Sequence, residues 1–389
     1  MYSAHNLAIF EPNNSYHWLM GRYNWQQVDW PDFKYNLSRS NEVLDVFEQE
    51  TSHVSGILKA IPQDAYIEAM INLMVAEALK TSEIEGEYLQ RSDVLSSIRN
   101  NLGLNSTLEK VIDKRARGAA ELMVAVRKSF AQPLTKEMLF DWHKMLLRQS
   151  SKIKVGAWRT HIEPMRVISG AVGKEKVHFE APPSSRVPKE MEMFIDWFNN
   201  TAPGGSHEIK KSSVRSAIAH LYFESIHPFE DGNGRIGRAI AEKALSQGVG
   251  RPVLLSLSQA IEAKKKIYYE QLQKAQCSNR ITSWINYFAN TVLEAQLLAK
   301  VLIELSLKKA KFFDKYKNCF NPRQEKVIKK MLEAEPKGFE GGMSAKKYMS
   351  ITKTSKATAT RDLQALADLG ALTSQGGGRS LNYAVNFNN

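Results

Sequence analysis

With 389 residues, 43% of them hydrophobic and 24% charged, the chain has the composition of an ordinary soluble protein, with room for two or three domains and a substantial core. Two cysteines, Cys277 and Cys319, exclude a disulfide framework and a multi-cysteine metal centre and fit a reducing compartment. The net charge of +12 is uneven: from Lys300 onward, 17 Lys plus Arg stand against 8 Asp plus Glu, which suits either nucleic acid or a merely solvated, Lys-rich surface.

The first residues, MYSAHNLAIFEPNNSYHWLM, lack a basic segment followed by an apolar run, and no apolar stretch approaches the ~18 residues of a membrane span. A cytoplasmic protein with no membrane partner is expected. Residues 1–40 hold Trp18, Tyr23, Trp25, Trp30 and Tyr35 among turn formers, a composition that predicts a small packed cap. Asp64–Lys80 carries Tyr66, Ile67, Met70, Leu73, Met74 and Leu79 at helical spacing, which predicts a helix capped by Asp64 with one face buried. After Thr81–Glu87, helices are expected over Asp93–Asn101, Thr107–Phe130 and Lys136–Gln149.

Residues 154–188 change texture. Glycines and prolines surround two extended candidates, Met165–Ser169 and Lys176–Phe179, which predict a β-hairpin or flap. Helices return over Val214–Ile226, Arg235–Ser246, Gln259–Gln276 and Trp284–Lys317. Beyond Asn321 the pattern is three short helices, Val327–Ala334, Ser344–Ser350 and Ser355–Leu369, then strands over Ala371–Thr373 and Leu381–Val385. That order reads as a winged helix-turn-helix. Lys353, Lys356, Arg361 and Arg379 would meet DNA phosphates, although such modules also serve as dimerisation or protein-docking surfaces, which leaves a homodimer open. The fold class is therefore mainly α: a helical core with a small β-hairpin flap and a C-terminal winged module.

The chemistry concentrates in His227–Arg238, HPFEDGNGRIGR. A Gly-rich turn at a helix N-terminus lets backbone N–H groups converge into an anion nest, and phosphate is its natural occupant. Arg235 and Arg238 offer charge-assisted hydrogen bonds to phosphate, Asp231 a hard oxygen for a phosphate-bound Mg²⁺, and His227 an imidazole to take a proton from an incoming hydroxyl.

This string resembles the Fic family signature HxFx(D/E)GNGRxxR at every fixed position: His227, Phe229, Asp231, Gly232, Asn233, Gly234, Arg235 and Arg238. Gly156-Ala-Trp158-Arg159, the flap strand Val167, Ile168, Ser169 and Gly170, Ala181-Pro182-Pro183 and Tyr268-Tyr269 are similar to the flanking segments. The resemblance covers roughly residues 106–295. It divides the chain into 1–105, an aromatic-rich helical region with an inhibitory helix; 106–295, the catalytic core; 296–320, a linker helix; and 321–389, the winged module. It implies protein AMPylation: His227 deprotonates a Ser, Thr or Tyr hydroxyl of a target protein, or of the chain itself, which attacks the α-phosphorus of ATP. Phe229 would anchor the loop, Asp231 would hold Mg²⁺, and Asn233 and the nest would bind phosphates. Val167, Ile168, Ser169 and Gly170 of the flap, with Gly232, Asn233, Gly234, Arg235, Ile236, Gly237 and Arg238, would line the nucleotide, with Arg238 on the γ-phosphate, Tyr269 and Gln276 at the adenine, and the flap also holding the target by strand pairing. The phosphorylating branch of the family has Lys where this chain has Gly234, which disfavours phosphoryl transfer.

Thr81–Gly86 also fits the family's (S/T)xxxE(G/N) inhibitory pattern. By that resemblance Glu85 pairs with Arg238 as a bidentate carboxylate–arginine contact, with Thr81 on the same helical face. Two other readings remain open: a de-AMPylating hydrolase using the same site, and a DNA-binding regulator with a nucleotide-sensing core.

Overall fold

The computed structural model describes residues 22–169, 176–334 and 339–387. Gly170, Gly173 and Trp18 lie outside them. Contacts divide the chain into two units, Met1–Glu48 with Met74–Ala295, and Gln49–Leu73 with Gln296–Asn389. Among the described residues the elements are α1 (Asn41–Ala60), α2 (Gln63–Ile84), α3 (Arg91–Leu102), α4 (Lys114–Lys128), α5 (Lys136–Leu147), β1 (Arg166–Ser169), β2 (Lys176–Glu180), α6 (Val187–Asn200), α7 (Ser212–Ile226), α8 (Asn233–Val249), α9 (Leu257–Ala263), α10 (Lys265–Ala275), α11 (Thr282–Lys315), α12 (Pro322–Glu333), α13 (Ala345–Thr352), α14 (Lys356–Asp368), β3 (Leu372–Gln375) and β4 (Asn382–Val385). None of these helices is long and apolar enough to cross a membrane.

The first unit is built around α7, which is buried at every residue. Small residues make that burial feasible. Ser216, Ala217 and Ala219 on α7, with Gly237, Ala239 and Ala241 on α8, let two backbones approach, and Ser216 Oγ donates across the gap to the Ala241 carbonyl at 2.8 Å. Arg215, 1% exposed, is satisfied by the Phe198 carbonyl (2.6 Å) and Gln247 Oε1 (3.0 Å), as a buried cation must be.

Three expectations on the helices are corrected. Asp64 lies in the first turn of α2, which starts at Gln63, and burial runs round the helix (Ala69, Ile71, Leu73, Val75 and Ala78) because apolar residues fill more than one face. Of Thr107–Phe130 only the part from Lys114 is helical. Asp113 caps it by accepting from the Arg115 N–H, while Asn100 and Asp93 side chains accept from the N–H groups of Glu109 and Asp113 and hold the preceding segment as coil. Gln259–Gln276 breaks at Lys264 (φ −129°, ψ 34°) into α9 and α10.

β1 and β2 pair antiparallel, with a register shift between Val167 and Ile168. Aromatics of the N-terminal segment pack on this flap and on α7: Tyr23 lies edge-on to Phe179 (5.0 Å between centroids), Trp30 edge-on to Tyr222 (5.1 Å), and Trp25 Nε1 donates to the Glu180 carbonyl at 2.7 Å. Tyr35 is exposed.

In the second unit, α12, α13 and α14 and the antiparallel β3–β4 pair enclose Val327, Ile328, Met331, Tyr348, Leu363, Leu366, Leu372 and Tyr383. The joint of the three helices is Asp362, which accepts from Arg323 Nε (2.9 Å) and the Tyr348 hydroxyl (2.9 Å). Burial acts to raise the Asp362 carboxyl, and the hydrogen bonds from Arg323 and Tyr348 outweigh it and hold the group below its ordinary value. Asp362→Ala is expected to destabilise this unit by about 1–3 kcal/mol by leaving the Tyr348 hydroxyl unpaired. Because the folded-state carboxyl is depressed, the parent's advantage over the variant should be present above about pH 4 and disappear as pH falls through the folded-state value. Calorimetry of both proteins across that window checks the sign.

Candidate active site

α7 ends at Ile226, and the chain turns at His227, which adopts φ 51°, ψ 60° and donates its N–H to the Phe223 carbonyl at 2.9 Å. A left-handed conformation in a non-glycine residue costs about 1–2 kcal/mol, so the surroundings must hold it. They do so from four sides. Phe229, fully buried, stacks on His143 (4.2 Å between centroids, 10° between planes) and lies 5.0 Å from the Trp158 ring. Asn233 closes the loop, since its Oδ1 accepts from the Phe229 N–H (2.9 Å) and its Nδ2 donates to the Phe229 carbonyl (2.8 Å). Arg159 Nε donates to the His227 carbonyl at 2.8 Å, and its Nη2 to the carbonyls of Pro182 (2.5 Å) and Ile226 (3.3 Å). His143 accepts from the Gly156 N–H at Nδ1 (2.8 Å), which leaves Nε2–H to donate to the Asp231 carbonyl at 3.2 Å.

Gly232 (φ 81°) then starts α8, and the turn opens on a cavity of about 700 Å³. His227, Asp231, Gly232, Asn233, Gly234 and Arg238 line one side of it, and Val167, Ile168, Tyr269 and Gln276 reach it from the flap and α10. Other residues singled out in the sequence turn elsewhere. Ile236 points into the core at 0% exposure, and Gly237 packs under Glu224, where an added Cβ would collide with its carboxyl group. Arg235 is taken by Glu87 (2.8 Å) and Asp231 (3.5 Å), so it is not a free phosphate ligand here. The Asn233 side chain is likewise committed to the loop, which leaves its backbone N–H for an anion. Ser169 pairs with Lys176 at the end of the flap register, and Gly170 is outside the described residues.

Arg238 is 1% exposed, and its partners all come from the end of α2. Nε donates to Thr81 Oγ1 (2.7 Å), and Nη2 to the Thr81 carbonyl (2.9 Å) and Glu85 Oε1 (2.7 Å). The Glu85 contact is therefore single, not bidentate: Thr81 occupies the Nε edge of the guanidinium. Burial acts to raise the Glu85 carboxyl, and the charge of Arg238 outweighs it and holds the group below its ordinary value. Glu85 is itself 29% exposed, so solvent reaches one partner and not the other. Its carboxylate sits where a Cβ on residue 234 would be.

Farther up α2, the buried Glu77 accepts from Ser256 Oγ (2.9 Å), the Ser258 N–H (2.8 Å) and the Ser258 hydroxyl, tethering the helix to the start of α9. Burial of the imidazole, with Arg159 nearby, lowers His227 to about 4 and keeps it neutral near pH 7. Burial raises the adjacent Glu224 to about 8.

Asp231 is suited to a magnesium ion that keeps most of its waters. Its side chain is 58% exposed, and its Oδ1 accepts from the Gly232 N–H (2.6 Å), with Arg235 Nη2 at 3.5 Å. Among the described residues no cluster of three His, Cys, Asp or Glu is placed to hold a metal ion. Sequence reasoning missed Glu224, His143 and Glu87. Glu224 sits one helical turn before His227 and was detectable as an acid inside an otherwise apolar helix end, AHLYFESI.

Residues 133–245 match the Fic/DOC family, and residues 23–104 match a domain of unknown function, DUF4172. A probable protein adenylyltransferase of Aquifex aeolicus is 30% identical over 131 residues, 33% of this chain and 36% of the relative. The protein adenylyltransferase Fic of Nematostella vectensis is 25% identical over 146 residues, 37% of this chain and 29% of the relative. The chain thus spans about a third of the length of these curated relatives. Among solved structures, a Fic family protein from Desulfovibrio desulfuricans is similar in fold, with a TM-score of 0.53 at 18% identity over 91% of this chain and 98% of that one.

Asn233→Ala removes both contacts that close the loop on Phe229. A loss of about 1–3 kcal/mol is expected, with faster hydrogen exchange at the Phe229 amide. Unchanged protection at that amide would mean that the loop is held by Arg159 and His143 alone.

Proposed function

We propose that this chain, which carries a Fic/DOC domain, is a protein adenylyltransferase that moves AMP from ATP to a hydroxyl of a protein and is restrained by Glu85. The observation that carries the reading is the meeting, in one cavity, of a neutral His227, the Gly232–Gly234 turn and a buried Arg238 already occupied by a carboxylate. The phosphates of ATP would lie on the backbone N–H groups at the start of α8, with the γ-phosphate on Arg238. His227 takes the hydroxyl proton, the oxygen forms a bond to the α-phosphorus, and the bond from that phosphorus to the bridging oxygen breaks, so pyrophosphate leaves with the electron pair. Asp231 would hold magnesium, which neutralises phosphate charge. Glu85 excludes the γ-phosphate from Arg238, so ATP rests in a pose unsuited to in-line attack until that contact opens.

Incubation with ATP labelled at the α-phosphate tests this. Glu85→Gly should raise AMP incorporation into the chain or into lysate proteins by about 10–100-fold, the equivalent of one charged hydrogen bond of about 1.5–3 kcal/mol. Adding His227→Ala should cut it by about 10²–10⁴-fold while ATP binding persists. No label on protein in Glu85→Gly, with ATP bound, would end the transferase reading, and release of AMP from premodified protein would favour the hydrolase.

For residues 321–389 we infer a winged helix-turn-helix that binds duplex DNA. Its support is the geometry of α13 and α14: Lys353 turns the chain at φ 56°, Ser355 caps α14 by accepting from the Thr358 N–H, and the outer face of α14 exposes Lys356, Thr360, Arg361 and Gln364. β3 and β4 supply the wing, with Arg379 in the turn between them. Fluorescence anisotropy with a duplex should show salt-dependent binding. A Lys356→Glu, Arg361→Glu variant should weaken it and flatten the salt slope by about one unit for each lost phosphate contact. Absence of binding at low salt would leave protein docking as the role of this face.

A further inference from the structure

Between Ile84 and Val94 the chain has no buried apolar side chain to seat it: Ile84 is 1% exposed, Tyr88 is 74% exposed, and the next apolar residue in the core is Val94. Yet this stretch carries the carboxylate that meets Arg238. Its shape comes from its own backbone. Gly86 adopts φ 82°, the Glu87 N–H donates to the Ser82 carbonyl (2.9 Å) and the Gly86 N–H to the Glu83 carbonyl (3.0 Å), which is a Schellman closure of α2. Glu85 and Glu87 flank the left-handed glycine, so two carboxylates leave one closed turn.

Both land on α8. Glu85 takes Arg238, and Glu87 Oε2 accepts from Arg235 Nη1 at 2.8 Å. The Arg235 side chain is 3% exposed, and Glu87 supplies the one hydrogen bond that its guanidinium makes among the described residues: Asp231 stands off at 3.5 Å, and Nε has no acceptor. A buried cation holds such a partner tightly, because losing it leaves a charge that solvent barely reaches. Arg115, a further cation near Glu87, is engaged by Asp113.

We propose that Glu87 is a positioning residue for Glu85: by clasping Arg235 it seats the turn on α8 and so holds the Glu85 carboxylate on Arg238. Because the turn is closed by its own hydrogen bonds, the two carboxylates leave α8 together, and Arg235 and Arg238 are freed in one movement. The bearing of this clasp on transfer rests on the adenylyltransferase reading; the seating of the turn does not.

Hydrogen exchange and incorporation of label from ATP labelled at the α-phosphate, both on the full chain, test this. Glu87→Ala should speed exchange at the Glu85 and Gly86 amides by about 3–10-fold, the equivalent of a partly exposed ion pair, while the amides of α7 keep their protection. Gly86→Ala touches neither carboxylate and its added Cβ meets open space, so backbone strain alone acts on the turn, and the same amides should quicken. AMP incorporation should rise by the same factor of about 3–10 in Glu87→Ala. In the Glu85→Gly background Glu87→Ala should add no more than about twofold, since nothing remains for the clasp to position. Unchanged exchange at Glu85 and Gly86 in Glu87→Ala, or a quickening shared equally by α7, overturns the proposal. So does a rise in the Glu85→Gly background as large as in the parent, which would mean that Glu87 acts on Arg235 by itself. If exchange quickens in both variants but no variant transfers AMP, the clasp stands and the transferase reading falls.

Discussion

A full positive charge that solvent barely touches must find its counter-charge inside the protein, and Arg238 imposes that demand on this fold. Its guanidinium sits in the first turns of α8, against the buried α7, where an unpaired cation would cost several kcal/mol. The end of α2 answers it with a hydroxyl, a carbonyl and a carboxylate. The position of α2 is in turn fixed by Glu77, whose buried carboxylate gathers three donors at the start of α9. A charge requirement at one residue thus aligns a helix from a distant part of the sequence.

The loop at His227 follows a second logic. Its strained backbone is held by side chains that bond to main-chain groups: Asn233 to Phe229, Arg159 to His227 and Ile226, and His143 to Asp231. None of these contacts requires a ligand. The donors at the start of α8 are therefore arranged before anything binds, which spares a reaction the reorganisation that flexible donors would need.

Much of this could be read from the sequence because it is local. HPFEDGNGRIGR puts glycines, a helix start and two arginines in fixed order, and the turn forms where those residues require it. The partner of Arg238 was legible as a resemblance in Thr81–Gly86, but its geometry was not: that Thr81 holds the Nε edge depends on how α2 packs. Arg235 could not be separated from Arg238 by spacing alone, since its fate is set by Glu87. Asn233 looked like a ligand for phosphate because its bonds to Phe229 close a loop whose shape no pattern states. The start of α4 was missed for a similar reason, since Asn100 and Asp93 capture the backbone of the preceding coil from another helix.

Gly234 carries a consequence beyond the freedom of its turn. The atom it lacks is the atom whose place the Glu85 carboxylate fills. A methyl group at this position would press on the end of the Glu85 side chain and lie 3.1 Å from an Arg238 guanidinium nitrogen, so both groups would have to adjust to it. The space beside the turn that residue 234 leaves open is the space the protein's own carboxylate occupies. Residue 234 is thus tied to residue 85 across the sequence: any side chain at the one must be accommodated by movement at the other.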